Sequence, residues 1–262
     1  MNEPFALNDA ERPVATPRET AARIASPRES AVLVDGVLDE VTDSFFGVES
    51  PLGMVYVAAG PGGVRYLAPA TSDEEEFARC YRERFGRFIS PARGLADLAE
   101  RVAALGGERV EMALDLSRAT PFQRRVLETV KGIARGEVRP YVWVASEAAF
   151  PGASRAVGNV MANNPIPLLV PCHRVVRNDG RTGSYAFGTG EKVRLLRLEG
   201  ASPEEISGSP YLATPTTGVV CHATCRNARR IRPESRRLFR SVKGAADAGY
   251  RPCKVCRPVV AA

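Results

Sequence analysis

Two cysteine pairs near the C-terminus constrain this chain most: Cys221-x3-Cys225 and Cys253-x2-Cys256. Both have metal-ligand spacing, and together they make a natural four-thiolate zinc site. Two disulfides or a redox pair are the other products of such spacing. The segment around them has few large apolar groups, so a metal is what would let it fold. His222 stands beside the first cysteine, but four thiolates already fill a tetrahedral site. Thiols so arranged favour a reducing, cytoplasmic location over a disulfide framework.

A fifth cysteine sits in a different setting. Asn164-Pro165-Ile166-Pro167-Leu168-Leu169-Val170 leads into Pro171-Cys172-His173-Arg174. The apolar run has two prolines and is too short for a helix. It reads as a buried, extended segment that delivers a thiol to one fixed place. The thiolate is the nucleophile, and a neighbouring base or cation activates it. Inert packing is the other reading of a buried cysteine, and it is the one given to Cys80, which falls within a helical stretch.

Charge divides the chain. Residues 1–117 carry 12 Lys+Arg against 20 Asp+Glu, residues 118–200 carry 13 against 6, and residues 201–262 carry 11 against 4. Two basic modules therefore follow an acidic one. That distribution suits a polyanionic partner, although a solvated basic surface would look the same. No apolar run reaches the roughly 18–20 residues of a membrane span, and no signal peptide is visible at the N-terminus.

Patterning predicts an α+β chain. Residues 1–42 read as a flexible leader and 43–117 as a small sheet-plus-helix domain. Strands are expected at 44–48, 53–59 and 64–67, with a turn at Pro61-Gly62-Gly63. A helix starts after Ser72-Asp73 and runs through Phe77, Tyr81 and Arg84. Leu95, Leu98, Val102 and Leu105 have helical spacing, and Val110–Leu116 alternates like a strand. Thr120-Pro121 opens another helix, with Phe122, Val126, Leu127, Val130 and Ile133 on its apolar face and Gly136-Glu137-Val138 closing it. Residues 142–149 and 153–161, broken at Pro151-Gly152, suggest a helix-turn-helix. The small residues Ala153, Ser154, Ala156 and Gly158 would let the second helix approach a backbone, or pack tightly on another helix. Residues 201–215 read as a linker and 216–262 as the zinc module.

The segment Asn164 to Val176 closely resembles the acceptor-site signature of the O6-alkylguanine-DNA alkyltransferases. The resemblance continues through Pro121-Phe122-Gln123, Gly136-Glu137-Val138, Arg155-Ala156-Val157-Gly158, Gly183-Ser184-Tyr185 and Leu195 to Gly200, and so covers 118–200. It implies a helical, winged-helix-like DNA-binding domain and a partner of double-stranded DNA with alkylated bases. Cys172 would take the alkyl group, His173 would remove its proton through a water, and Glu199 would orient His173. Asn164 would hold the turn, and Tyr141 would assist the departing guanine. Arg155 would fill the gap left by the flipped base, Tyr185 would close over that base, and Arg174 and Ser154 would contact DNA or substrate. Read without the family, both tyrosines are half-buried core aromatics. Val142-Trp143, Ala186 and Phe187 depart from the family pattern and leave the accepted alkyl size open.

Thr216-Thr217-Gly218, the four cysteines and Ala245 to Lys254 resemble the zinc domain of the bacterial Ada proteins, here placed after the alkyltransferase segment instead of before it. In Ada the cysteine matching Cys221 accepts methyl from DNA phosphotriesters. Here His222-Ala223 replaces the usual Arg-Pro, so a second acceptor and a structural DNA clamp both remain open. Arg226, Arg229 and Arg230 are candidate phosphate contacts.

The expectation is therefore a monomeric, cytoplasmic, single-turnover methyltransferase that uses zinc, no organic cofactor and no membrane. No group is evident that would regenerate Cys172. A non-catalytic lesion sensor is the alternative, opposed by the joint presence of Cys172, His173, Asn164 and Glu199. A cysteine hydrolase would need an oxyanion-hole segment, and none is recognisable.

Overall fold

The computed structural model describes residues 42–70, 73–92 and 112–260. The expected leader (Thr42 apart), the helix through Leu95 and Leu105 and the first two residues of the Val110–Leu116 strand lie outside these.

Strands β1 (Thr42–Ser50), β2 (Gly53–Gly60) and β3 (Gly63–Pro69) form antiparallel hairpins, and β4 (Phe88–Pro91) joins on the far side of β1. Alternation sorts the sheet's two faces. Phe45 and Ala58 meet Phe77, Tyr81 and Phe85 from helix α1 (Glu74–Phe85). The cap of α1 is Asp73, whose side chain accepts the Glu76 amide at 2.7 Å. Cys80 lies off the buried stripe and is exposed, so the expectation that it packs in a core is overturned. Of the expected Val110–Leu116 strand, the part from Met112 makes a single parallel bridge, Val64↔Leu114.

The sheet's other face carries Val55, Val57, Val64 and Leu67. It shares one core with Val126, Leu127 and Val130 of helix α2 (Pro121–Lys131) and with Ile166 to Val170. Thr120 and Gln123 cap α2 reciprocally, as its sequence predicts. The helix ends at Gly132, earlier than the expected Gly136; the freed residues 133–138 form a loop.

Strand β5 (Arg139–Pro140) pairs in parallel with β6 (Val175–Val176). Helices α3 (Tyr141–Glu147) and α4 (Ser154–Ala162) follow as the expected helix-turn-helix, and α5 (Thr189–Leu198) closes the middle region. No helix among the described residues is long and apolar enough to cross a membrane.

The stretch read as a linker is folded. Residues 203–206 form helix α6 (Pro203–Ile206), and 211–214 form β7 (Tyr211–Thr214). Strand β7 lies inside a sheet of order β10-β8-β7-β9, with β8 (Val219–His222), β9 (Arg237–Phe239) and β10 (Arg251–Pro252). The proline and serine content disguised a strand whose Tyr211 and Ala213 pack against Val220, Val242 and Ala245. Between the strands lie α7 (Arg226–Arg229) and α8 (Val242–Asp247).

Candidate active site and metal centre

The segment before Cys172 is buried as expected but turned, not extended: Val170 donates its amide to Ile166 O at 2.9 Å and Leu168 has φ +72°. It is anchored on both sides. Leu67 of β3 donates its amide to Pro165 O at 2.9 Å, and Arg84 donates to Asn163 O at 3.1 Å. Asn164, 5 % exposed, accepts the Ile166 amide at 3.1 Å and donates Nδ2 to Val170 O at 2.9 Å. The same Nδ2 lies 3.1 Å from Cys172 Sγ. The turn is thus fixed by one amide side chain, which also faces the thiol.

Cys172 starts a single 3-10 turn, Cys172–Arg174, and is buried. Burial pushes its thiol up, opposed by the Asn164 hydrogen bond and the Lys192 ammonium. His173 is buried beside it. Nε2 lies 2.9 Å from Glu199 Oε1. Arg174 grips the same carboxylate with Nε at 2.9 Å and Nη2 at 2.7 Å, and the Gly136 amide reaches Oε2 at 3.3 Å. Burial alone would raise the Glu199 pKa, but hydrogen bonds from His173 and Arg174 outweigh it and hold the carboxyl at about 2. Desolvation lowers the His173 pKa, so the ring is neutral at pH 7. Facing a carboxylate, Nε2 carries the proton. Nδ1 is then a bare lone pair, and it is buried with no hydrogen-bond partner. A neutral base next in the chain to a buried thiol, with one nitrogen fixed by a carboxylate and the other bare, is what a nucleophile needs for activation through a bridging water.

Arg174, expected on DNA or substrate, is committed inward. Besides Glu199 it donates Nη1 to Ile133 O at 2.6 Å; its planar fork matches a carboxylate. Tyr185 sits edge-on to His173, with ring centroids 6.1 Å apart and its hydroxyl unpartnered. Burial raises the phenols of Tyr185 and Tyr141, so both are neutral O–H donors. Tyr141, Ser154, Arg155 and Gly158 line a cavity of about 360 Å³ with Arg177. Arg155 is exposed at the start of α4. A Cβ on Gly158 would meet nothing within 4 Å, so packing within the chain does not require glycine there.

Lys192 escaped the sequence reading. It is fully buried, with Nζ 2.6 Å from Val175 O and 3.4 Å from Ser184 O. Desolvation lowers its pKa to about 8, opposed by the Cys172 thiolate it faces. The visible signal was a lysine three and four positions before Leu195 and Leu196, on the face they bury; a lone lysine there reads as part of a solvated helix face.

The four C-terminal sulfurs are buried and all lie within 4.8 Å of one another. Four ligands at about 2.3 Å around a tetrahedral zinc have sulfurs roughly 3.8 Å apart, so the cluster fits that ion. Burial would push the Cys253 thiol up, but amides of Cys256 and Val255 outweigh it and lower it. His222 is not in the cluster; its buried ring packs on Tyr211 at 5.3 Å. Trp143 donates Nε1 to Cys256 O at 2.9 Å. Its departure from the family pattern therefore serves the metal module.

A family model described as the DNA-binding domain of 6-O-methylguanine DNA methyltransferase matches residues 121–201. Another, the metal binding domain of Ada, matches 201–259. A methylated-DNA–protein-cysteine methyltransferase of Methanosarcina acetivorans is 34 % identical over 155 residues, covering 58 % of this chain and 96 % of that one. Its namesake in Mycolicibacterium paratuberculosis is 33 % identical, with 58 % and 89 % covered. In Methanothermobacter thermautotrophicus the identity is 45 %, over 35 % of this chain and 51 % of the relative. The crystal structure of Mycobacterium tuberculosis OGT in complex with DNA superposes with a TM-score of 0.51 at 30 % identity, covering 62 % of this chain and 97 % of that one.

Proposed function

The chain belongs to the methylated-DNA–protein-cysteine methyltransferases and carries an Ada-type metal-binding domain behind the alkyltransferase region; on that premise we propose that it repairs O6-alkylguanine in duplex DNA by moving the alkyl group onto Cys172. The observation that carries this reading is the buried Cys172 thiol beside a neutral His173 whose Nε2–H is fixed on Glu199 and whose Nδ1 is bare.

In the reaction the thiol proton goes to His173 Nδ1 through a water. The sulfur attacks the alkyl carbon, the S–C bond forms, and the C–O6 bond breaks with its electron pair going to guanine. The leaving guanine needs a proton or a hydrogen-bond donor, and the Tyr141 hydroxyl supplies it. Glu199 stabilises the imidazolium, the role a third group plays in a triad. Asn164 and Lys192 stabilise the thiolate before attack. The target atom is inaccessible within a duplex, so the nucleotide must leave the stack at roughly a few kcal/mol. Arg155 fills the vacancy from α4, Ser154 contacts the backbone at the helix start, and Tyr185 closes over the flipped base. A thioether has no hydrolytic route back here, so each chain acts once.

The metal site takes zinc, held by Cys221, Cys225, Cys253 and Cys256. The four cysteines would hold such an ion as thiolates, part of their charge offset by it, and so tie the small sheet together. The basic surface of residues 201–262 adds to DNA affinity. Working partner and place are alkylated double-stranded DNA and the cytoplasm, as a monomer, with no organic cofactor.

The test is intact mass and peptide mapping after incubation with duplex DNA carrying O6-methylguanine and methylphosphotriesters. One methyl on the Cys172 peptide is expected, and none in Cys172→Ser. No methyl on Cys172 in the folded, zinc-loaded protein would replace this reading with a lesion sensor. A second methyl on Cys221 would make the zinc site an acceptor too.

A further inference from the structure

The loop between α2 and β5 touches both chemical centres. On one side the Gly136 amide donates to Glu199 Oε2, and Arg135 donates to Leu198 O at 3.0 Å. On the other side the loop meets the metal module. Val138 donates its amide to Thr224 Oγ1 at 2.9 Å in a buried contact, and the Arg226 amide donates to Glu137 Oε1 at 2.9 Å. Arg229 donates to Gly136 O. Thr224 and Arg226 flank the ligand Cys225, and Arg229 donates its own amide to Cys225 O at 3.1 Å.

The packing leaves no slack. Gly136 has φ +72°, and a Cβ there would lie 2.5 Å from Glu199 O and 2.8 Å from the Arg229 guanidinium. Glu137 also pairs with Arg139, whose guanidinium lies 5.3 Å over the Trp143 ring, and that indole holds Cys256 O. Two of the four cysteines, Cys225 and Cys256, are thus joined to the loop by separate routes. Arg229 was expected to face phosphate; here it is spent on the loop.

We infer that the metal module positions the acceptor machinery: Arg229 and Thr224 hold Gly136–Val138 against Glu199, so the ligation state of the four cysteines sets how firmly Glu199 orients His173. Neither residue touches substrate; both are positioning residues. The inference rests on the assignment of Cys172 as acceptor. It also means that any event at the metal ligands, oxidation or loss of the ion, is felt at the alkyl-acceptor site. Coupling carried by such contacts is commonly worth a two- to thirtyfold change.

The experiment uses the full-length zinc-loaded protein and its Arg229→Ala, Arg229→Lys and Thr224→Val variants, with zinc content measured for each. Single-turnover transfer to Cys172 is followed across duplex concentrations, and amide exchange is read at Gly136, Val138 and Glu199. Expected for Arg229→Ala and Thr224→Val is retained zinc and faster exchange at the loop amides. The saturating rate falls two- to thirtyfold while the half-saturating DNA concentration stays put. Arg229→Lys, which keeps a donor, recovers much of the rate. A wild-type saturating rate with wild-type exchange would overturn the inference. So would a change confined to the half-saturating concentration, since that is what a phosphate contact gives. Should Arg229→Ala shed its zinc, Thr224→Val decides. If wild-type protein never methylates Cys172, the functional assignment fails. Amide exchange still decides the coupling: protection that is unchanged by the variants refutes it, and protection that is lost supports it.

Discussion

Replacing Lys192 by Met separates stability from reactivity. Lys192 is a fully buried cation acting on Cys172, and its Nζ has two carbonyl partners, Val175 O and Ser184 O. A pKa of about 8 against the ordinary 10.5 makes the charged form about 3 kcal/mol harder to hold in the fold. The folded pKa lies below the unfolded one. The penalty is therefore complete below about pH 8, where both states are protonated, and fades as pH rises from about 8 to 10.5. Met removes the penalty but strands two carbonyls, at about 1–3 kcal/mol. The variant is then more stable than wild type at pH 7 by about 0–2 kcal/mol, and less stable by about 1–3 kcal/mol above pH 10.5. Urea unfolding of both zinc-loaded proteins from pH 7 to 11 reads the difference, and groups common to both cancel. Transfer to Cys172 slows in the same variant, because the ammonium facing the thiolate is gone. A stability difference that stays flat across this range would refute the buried-charge argument. An undiminished transfer rate would refute the role given to Lys192.

Asn164→Ala leaves the Ile166 amide without its partner and takes one of two donors from the Val170 carbonyl, which keeps the Cys172 amide at 2.7 Å; it is expected to cost about 1–3 kcal/mol in urea unfolding, with slower methyl transfer. Glu199→Gln removes a carboxyl held at about 2. Its contribution, no more than about 3 kcal/mol, is complete above about pH 4.5 and is lost as pH falls toward 2, so the deficit measured by urea should be equal at pH 7 and pH 5.5. Chelating the zinc should open residues 201–260 to protease before residues 121–200, followed by peptide mapping, because the module's buried cluster is built largely from the cysteines themselves. Arg155→Ala should slow repair of a paired lesion more than repair of one opposite a gap, where little stacking has to be replaced; equal slowing of both would reassign Arg155 to a phosphate contact.

The strands and helices with strong periodicity were legible: β1 to β3, α1, α2 and the helix-turn-helix follow from alternation, capping and breaks. The burial of the Asn164–His173 segment was legible in its apolar run, but its path was not: the extended stretch expected there turns back at Leu168, with φ +72°. What the sequence hid was mostly long-range. Lys192 reads as an ordinary helix lysine until the fold closes β6 over it. Arg174 reads as a DNA contact beside a reactive cysteine until Glu199, distant in sequence, arrives to take its fork. The end of α2 was misplaced because Gly136 looks like a helix stop, whereas its left-handed backbone serves the loop that Glu199 and Arg229 press from either side.

The misread linker has a consequence for module order. A true linker after residue 200 would leave the metal module free to sample DNA apart from the alkyltransferase. Instead β7 enters the module's sheet between β8 and β9, while Ala201 and Ile206 are buried with Val138, Val176 and Leu196. The same short stretch thus belongs to both cores, and no slack remains between them. Placing the module after α5 puts its first elements beside Glu199, the residue that ends that helix. Attached before β1, the module would have no covalent reason to lie there. Inserting a Gly-Ser spacer between Gly208 and Ser209 therefore tests the order itself. The expected result is retained zinc and an intact alkyltransferase core, with the Val138 amide released from Thr224 and slower transfer to Cys172. If transfer and Val138 protection survive the spacer, the non-covalent contacts hold the modules together unaided, and the order of attachment carries no weight.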